Sequence, residues 1–240
     1  MVLNIEHNVI FNVLAKDIEN AKELAAVGGD RVLIGVMVKN LTDEEAIMKI
    51  NELKENNIRT SIGLGAADPN MWERVANIAA ITAPDHINQI FPAAGYTLGR
   101  MIQSGVENSF VNAVIIPSGI PGKVYITTGP KSSKMKEAVS CEVAATLLAE
   151  IGCSSVKFYP INGNKHLEEV AEMVKASTKA GLTVFEPTGG IDLENCEEIV
   201  RVCLESGAKV VIPHLYTSLI DNETGKTNPE KIRKLINIKF

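Results

Sequence analysis

The chain has 240 residues, 45% of them hydrophobic and 22% charged, with a formal net charge of −5. This is the composition of an ordinary globular domain. Its lysines and arginines are scattered, so no basic stripe exists to displace counterions from nucleic-acid phosphates, and nucleic acid is not an expected partner. No apolar run approaches the ~18 residues of a membrane span, and "MVLNIEHNVIFNVLAKD" lacks a basic leader followed by a long apolar core. Cys141, Cys153, Cys196 and Cys203 form no CxxC pair and no zinc-ligand spacing. They read as small buried apolar residues in a reducing compartment, and the cytoplasm is the expected location.

From the first residues on, apolar runs alternate with helical patterns. "NVIFNVLA" precedes "DIENAKELAAVGG", a helix with a glycine stop. "RVLIGVMV" precedes "LTDEEAIMKINELKENN", in which Ile47, Ile50 and Leu53 recur at helical steps. Acidic residues in that helix's first turn suit its dipole. "IRTSIGLG" is followed by Asp68 and Pro69, an N-cap and a first-turn proline. "PDHINQIF" and "GYTLGRMIQSG" give the fourth pair. The fifth strand lies in either "VNAVIIP" or "KVYITTG", between which the pattern does not choose. "SKMKEAVSCEVAATLLAEIG" leads to "SVKFYP", "NKHLEEVAEMVKASTKAG", "LTVFEP", "DLENCEEIVRVCLESG", "AKVVIP" and a closing helix in "NPEKIRKLINI".

Eight strand-like runs, most followed by a helix-like one, predict a parallel sheet with crossover helices. In this length, that favours an α/β single-domain (β/α)8 TIM barrel over an open doubly wound sheet. No linker or composition break divides residues 1–240.

Active sites of such barrels lie at the C-terminal ends of the strands. Polar residues there include Asn12, Lys39, His86, Lys157, Glu186, Thr188, Gly189, Gly190 and His214. Lys157 stands inside an apolar strand, and alternation turns its side chain away from the face of Val156 and Phe158. Burial disfavours an ammonium ion and lowers its pKa, and a neutral lysine can form an imine with a ketone. A lysine that snorkels to the rim, or pairs with a carboxylate, is the alternative. Glu186 lies one βα unit on, near enough for proton transfer or for a salt bridge. In "FEPTGGI", Thr188, Gly189 and Gly190 precede a helix expected near Asp192. Backbone N–H groups there could face an anion, or the glycines could simply make a tight turn. His86 lacks a second metal ligand at suitable spacing, which favours a structural or substrate hydrogen-bonding role. "SIGLGAADP" lacks the full dinucleotide fingerprint, so no nicotinamide cofactor is expected.

Together "VKFYPI" and "EPTGGI", one βα unit apart, resemble the class I aldolases that cleave 2-keto-3-deoxy-6-phosphogluconate. "DIENAKELAAVGGDRVLIGVMV" and "SIGLGAADPN" resemble that family's first helix with second strand, and its third strand with loop. The resemblance implies that Lys157 is the Schiff-base lysine and that Thr188, Gly189 and Gly190 hold the distal phosphate. Two departures mark a diverged branch. "RVLIGVMVKN" has no counterpart of the family's acid/base glutamate and offers Lys39 in place of its carboxylate-binding arginine. "VVIPHLYTS" replaces a glycine-rich phosphate loop.

The implied reaction is cleavage of a phosphorylated 2-keto-3-deoxy sugar acid to pyruvate and glyceraldehyde 3-phosphate, with Glu186 as candidate acid/base. Lys39, His86, Asn12 and His214 are further substrate-binding candidates. No cofactor or metal is expected, and family members are usually homo-oligomers. A 4-hydroxy-2-oxoglutarate aldolase, a phosphosugar isomerase or epimerase, and a non-catalytic phosphosugar-binding barrel are the alternatives. The insert at 117–134 is expected near the barrel mouth.

Overall fold

Helix boundaries follow local chemistry. Residues 7–240 are described by a computed structural model. In it α1 (Ile18–Gly28) starts where the Asp17 carboxylate accepts the Asn20 N–H at 2.9 Å. It stops at Gly29, whose φ of 56° few side chains tolerate. Helix α2 (Asp43–Glu55) opens with a reciprocal capping box between Thr42 and Glu45. Loss of such a cap typically costs about 1 kcal/mol. The other helices are α3 (Trp72–Thr82), α4 (Ala94–Gln103), α5 (Cys141–Ile151), α6 (Leu167–Lys179), α7 (Cys196–Glu205) and α8 (Pro229–Ile236). Among the described residues, none is long and apolar enough to cross a membrane.

Between them run β1 (Phe11–Leu14), β2 (Val32–Met37), β3 (Thr60–Gly63), β4 (His86–Ile90) and β5 (Phe110–Pro117). They are followed by β6 (Lys123–Tyr125), β7 (Val139–Ser140), β8 (Ser155–Phe158), β9 (Val184–Pro187), β10 (Val210–Val211) and β11 (His214–Leu215). The order β10-β9-β8-β5-β4-β3-β2-β1-β11 is parallel throughout and makes a curled α/β sheet. "AKVVIP" and the residues after it thus supply both ends of that order. The segment is interrupted at Pro213, which has no N–H to donate to a ladder. Ile212 N–H donates to Phe185 O at 2.8 Å, and Ile10 and Asn12 N–H donate to Val211 O and Pro213 O at 3.0 and 3.1 Å.

"VNAVIIP" is the fifth parallel strand. "KVYITTG" contributes only the short β6, which runs antiparallel to β5 and β7. This arm belongs to the insert, and Gly119 N–H ties it to Glu169 Oε2 on α6 at 2.9 Å.

The sheet's two faces differ in chemistry. Toward the helices, Val156, Phe158 and Phe185 join a continuous apolar core that also holds the four free cysteines. Full burial of each phenylalanine there contributes about 2–3 kcal/mol. On the inner face, Ile10, Leu33, Phe110, Val184 and Ile212 form a separate apolar cluster. Four of these stand two positions before Asn12, Asn112, Glu186 and His214, so the period of a strand puts them on the same face, nearer the strand N-termini. An apolar floor therefore underlies a layer of buried polar side chains.

Candidate active site

Lys157 is the middle of that inner face. Its register partners are Val114 on β5 and Glu186 on β9. The residue is 7% exposed, and its ammonium donates to Asn88 Oδ1 at 2.8 Å and to His214 Nδ1 at 3.0 Å. Burial lowers its pKa from 10.5 to about 8, and Glu186 pulls it partly back up.

Glu186 is wholly buried and does not bond the amine. Its carboxylate accepts from Asn112 Nδ2 at 2.7 Å, His214 Nε2 at 2.8 Å, His86 Nε2 at 3.0 Å and the Ser155 hydroxyl. Burial alone would raise its pKa. The opposing pull of His86, reinforced by hydrogen bonds from His214 and His86, outweighs that and holds the carboxyl below its ordinary value. A carboxylate only accepts, so both histidines present an N–H from Nε2. His86 Nδ1 shares a hydrogen bond with the Ser61 hydroxyl at 2.8 Å, while Ser61 Oγ accepts from Asn12 at 2.9 Å and Asn88 at 3.0 Å. Each of these buried groups finds a partner, as the low dielectric requires.

His214 is different. Its Nδ1 is a lone pair directed at Lys157 and, at 3.2 Å, at the Tyr216 hydroxyl. Burial, with the charge of Lys157 next, lowers its pKa from 6.5 to about 3, so the imidazole is neutral. Burial also raises the pKa of Tyr216, with Glu186 adding to the effect.

Above this layer opens a cavity of about 530 Å³, within the range of small-molecule sites. Lys157, Asn88, His214 and Tyr216 line its depth, with Lys39, Thr188, Gly189, Gly190, Thr217 and Ser218 also in its wall. Lys39 pairs with Asp68 at 3.0 Å and is half exposed. Between them, Ala66 and Ala67 hold left-handed backbone, φ 48° and 53°. Such strain gathers at functional loops.

The paired glycines serve packing as well as exposure. Gly163 N–H donates to Gly189 O at 2.9 Å, and Gly190 has φ +72°. A Cβ on Gly190 would lie 2.6 Å from Gly163 N. Gly190→Ala is therefore expected to lose on the order of 1–3 kcal/mol, read as a lowered urea midpoint. An unchanged midpoint would show that the 162–163 loop yields freely. The helix expected near Asp192 begins only at Cys196. The Asp192 carboxylate instead accepts the N–H groups of Glu194 and Asn195, so the glycine loop does not abut a helix N-terminus.

Of the candidate residues, Lys157, Lys39, Thr188, Gly189, Gly190 and His214 line the cavity. Asn12 and His86 do not line it. They are fully buried beneath, spending their polar atoms on Ser61 and Glu186, and so orient the network rather than face a ligand. Glu186 likewise lies behind His214 instead of beside the amine. Tyr216, Asn112 and Ser155 lie outside the sequence candidates, and Asn88 enters there only as a polar neighbour of His86 at a strand end. A signal existed: Ser155, Asn88 and Tyr216 each stand two positions from Lys157, His86 or His214, on the same strand face.

A curled parallel sheet whose inner cavity ends on a buried amine and a hydrogen-bonded imidazole defines an α/β enzyme. Two solved structures share the fold: KGPDC from Streptococcus mutans (TM-score 0.60, 13% identity, 96% of this chain and 97% of that one) and thiamine phosphate pyrophosphorylase from Pyrococcus furiosus (TM-score 0.55, 12% identity, 95% and 94%). The family profile of KDGP aldolase matches residues 5–223. A 2-dehydro-3-deoxy-phosphogluconate aldolase of Salmonella typhimurium (strain 14028s / SGSC 2262) is 40% identical over 232 residues, 96% of this chain and 94% of that protein. The chain belongs to the KDGP aldolase family, and is a lyase.

Proposed function

We propose that the protein is a class I aldolase that cleaves a 2-keto-3-deoxy-6-phosphosugar acid to pyruvate and glyceraldehyde 3-phosphate through an imine on Lys157. The observation that carries this reading is the placement of Lys157: a buried amine of lowered pKa, directed into the cavity and steadied by Asn88 and His214. Nucleophilic attack needs the neutral amine, and a pKa of about 8 leaves about one in ten molecules neutral at pH 7. The imine nitrogen then draws the electrons of the C3–C4 bond. Lys39, freed from Asp68, holds the substrate carboxylate as a point charge. Thr188, Gly189 and Gly190 hold the phosphate.

The rest of the reading is of a piece with this. Residues 1–240 make one domain. The hydrogen bonds that Ile212, Val211 and Pro213 make to β9 and to residues 10 and 12 support a closed barrel of eight parallel staves. The protein works in the cytoplasm as a homo-oligomer.

The test is intact mass and peptide mapping after incubation with pyruvate and borohydride at several pH values. One reduced pyruvate adduct is expected on Lys157. Its initial rate of formation should rise about tenfold per pH unit below pH 8 and level off above it. A rate still climbing through pH 10 would mean an ordinary lysine, and no adduct would exclude the imine.

A further inference from the structure

We propose that His214 is the catalytic base and acid of the carbon–carbon cleavage, with Glu186 as its positioning residue. The proposal rests on the imine reading above and names the group that moves the proton, which the sequence expectation gave to Glu186.

Three observations carry it. Glu186 is wholly buried and not part of the cavity wall, whereas His214 lines the cavity. The carboxylate fixes the tautomer by accepting Nε2–H at 2.8 Å, so the base-competent lone pair of Nδ1 is turned to the amine side. A third group, Asn88, decides when that lone pair becomes free. A protonated amine has several N–H bonds and uses them on both Asn88 Oδ1 and His214 Nδ1. A protonated imine retains one N–H, for which the Asn88 oxygen at 2.8 Å is the shorter acceptor. Imine formation thus releases His214 Nδ1 from the amine, leaving the longer 3.2 Å contact with the Tyr216 hydroxyl for the bound substrate to displace.

The step balances as follows. His214 Nδ1 takes the proton of the C4 hydroxyl, the O–H electrons form the aldehyde C=O, and the C3–C4 bond pair moves to C3. The C=N pair falls to nitrogen, and the iminium charge is neutralised as an enamine. The positive charge has moved from the lysine nitrogen to the imidazolium, both beside the same anion, Glu186. The Lys157 charge, which adds to burial in keeping His214 neutral in the resting enzyme, disappears in the step that protonates the imidazole. The imidazolium then gives its proton to enamine C3, restoring the iminium, which water hydrolyses to pyruvate and free Lys157.

The experiment follows exchange of the pyruvate methyl protons in D2O by NMR, beside borohydride trapping, in the wild type, His214→Asn, Glu186→Gln and Tyr216→Phe. Methyl exchange needs the imine and a proton acceptor at C3, but no aldehyde. His214→Asn is expected to keep the trapped adduct and lose exchange by about 10²–10⁴-fold. Glu186→Gln can offer an N–H to Nε2, which permits the other tautomer. It should lower exchange at least about tenfold while moving the pH profile of trapping downward, because Glu186 no longer raises the Lys157 pKa. A purely structural carboxylate would not produce that split. Wild-type exchange in a His214→Asn protein that still traps pyruvate would overturn the proposal alone. Exchange lost in Tyr216→Phe but kept in His214→Asn would overturn it in favour of the tyrosine. If His214→Asn does not fold, Glu186→Gln with unaltered exchange at every pH would overturn it. No adduct in the wild type would overturn the imine reading itself.

Discussion

Lys157→Met is expected to lose turnover by at least about 10⁴-fold, the scale on which removal of a covalent nucleophile is felt. Methionine conserves the length and apolar stem of lysine, so the strand and its pairing with Val114 and Glu186 on the neighbouring strands are kept. The amine, its charge and its donors to Asn88 and His214 are what disappear. Loss of that charge has a second readout. The cation is among the causes holding His214 near 3, so the imidazole of the variant should titrate at higher pH, measurable by NMR. Retained cleavage in a Lys157→Met protein would sink the covalent mechanism. An unmoved imidazole would show that burial alone depresses it.

A marked loss of stability in mild acid is the second large effect. Folded His214 binds a proton only near pH 3, while the unfolded chain binds it near 6.5. Between those values the unfolded state holds more protons, so stability falls as the pH falls. Glu186, lowered below its ordinary value, acts in the same direction below about 4.5. With a limiting slope of about 1.4 kcal/mol per pH unit, reached once the unfolded imidazole is fully protonated, His214 alone withdraws about 2 kcal/mol from pH 6.5 to 4.5. For a domain of this size, each kcal/mol is worth about 2–4 °C in Tm. Urea unfolding at the two pH values measures this directly, and His214→Asn should flatten the slope. An equally steep decline in that variant would place the acid sensitivity elsewhere. On the alkaline side, Lys157 contributes the same sign: between about 8 and 10.5 the unfolded chain again holds the extra proton, so stability rises with pH.

Much of this was legible in the chain itself, because it depends on local periodicity. The alternation of apolar runs and amphipathic segments gave the parallel α/β sheet, and a charge inside "SVKFYP" marked Lys157. What escaped was set by register. That Glu186 would neighbour Lys157 followed from one βα unit of spacing, yet the pairing of backbones does not say where side chains turn. The carboxylate leans to two imidazoles and an amide from β4, β5 and β11, elements separated from it by 28 to 100 residues. The same limit hid Asn112. "KVYITTG" has the apolar content of a strand but too few partners to extend β5 in parallel, so it folded back as an arm. The three residues between Asp192 and α7 were hidden because the aspartate side chain caps its own turn before any helix begins.

The apolar floor of Ile10, Leu33, Phe110, Val184 and Ile212 backs the chamber on the side of the strand N-termini, so the described cavity opens toward the strand C-termini. On the proposed chemistry, the aldehyde half of the cleaved substrate lies toward that opening and the pyruvate half remains tethered to Lys157 behind it. Traffic then has a fixed order: the aldehyde departs first, water enters after it, and pyruvate is the last to leave.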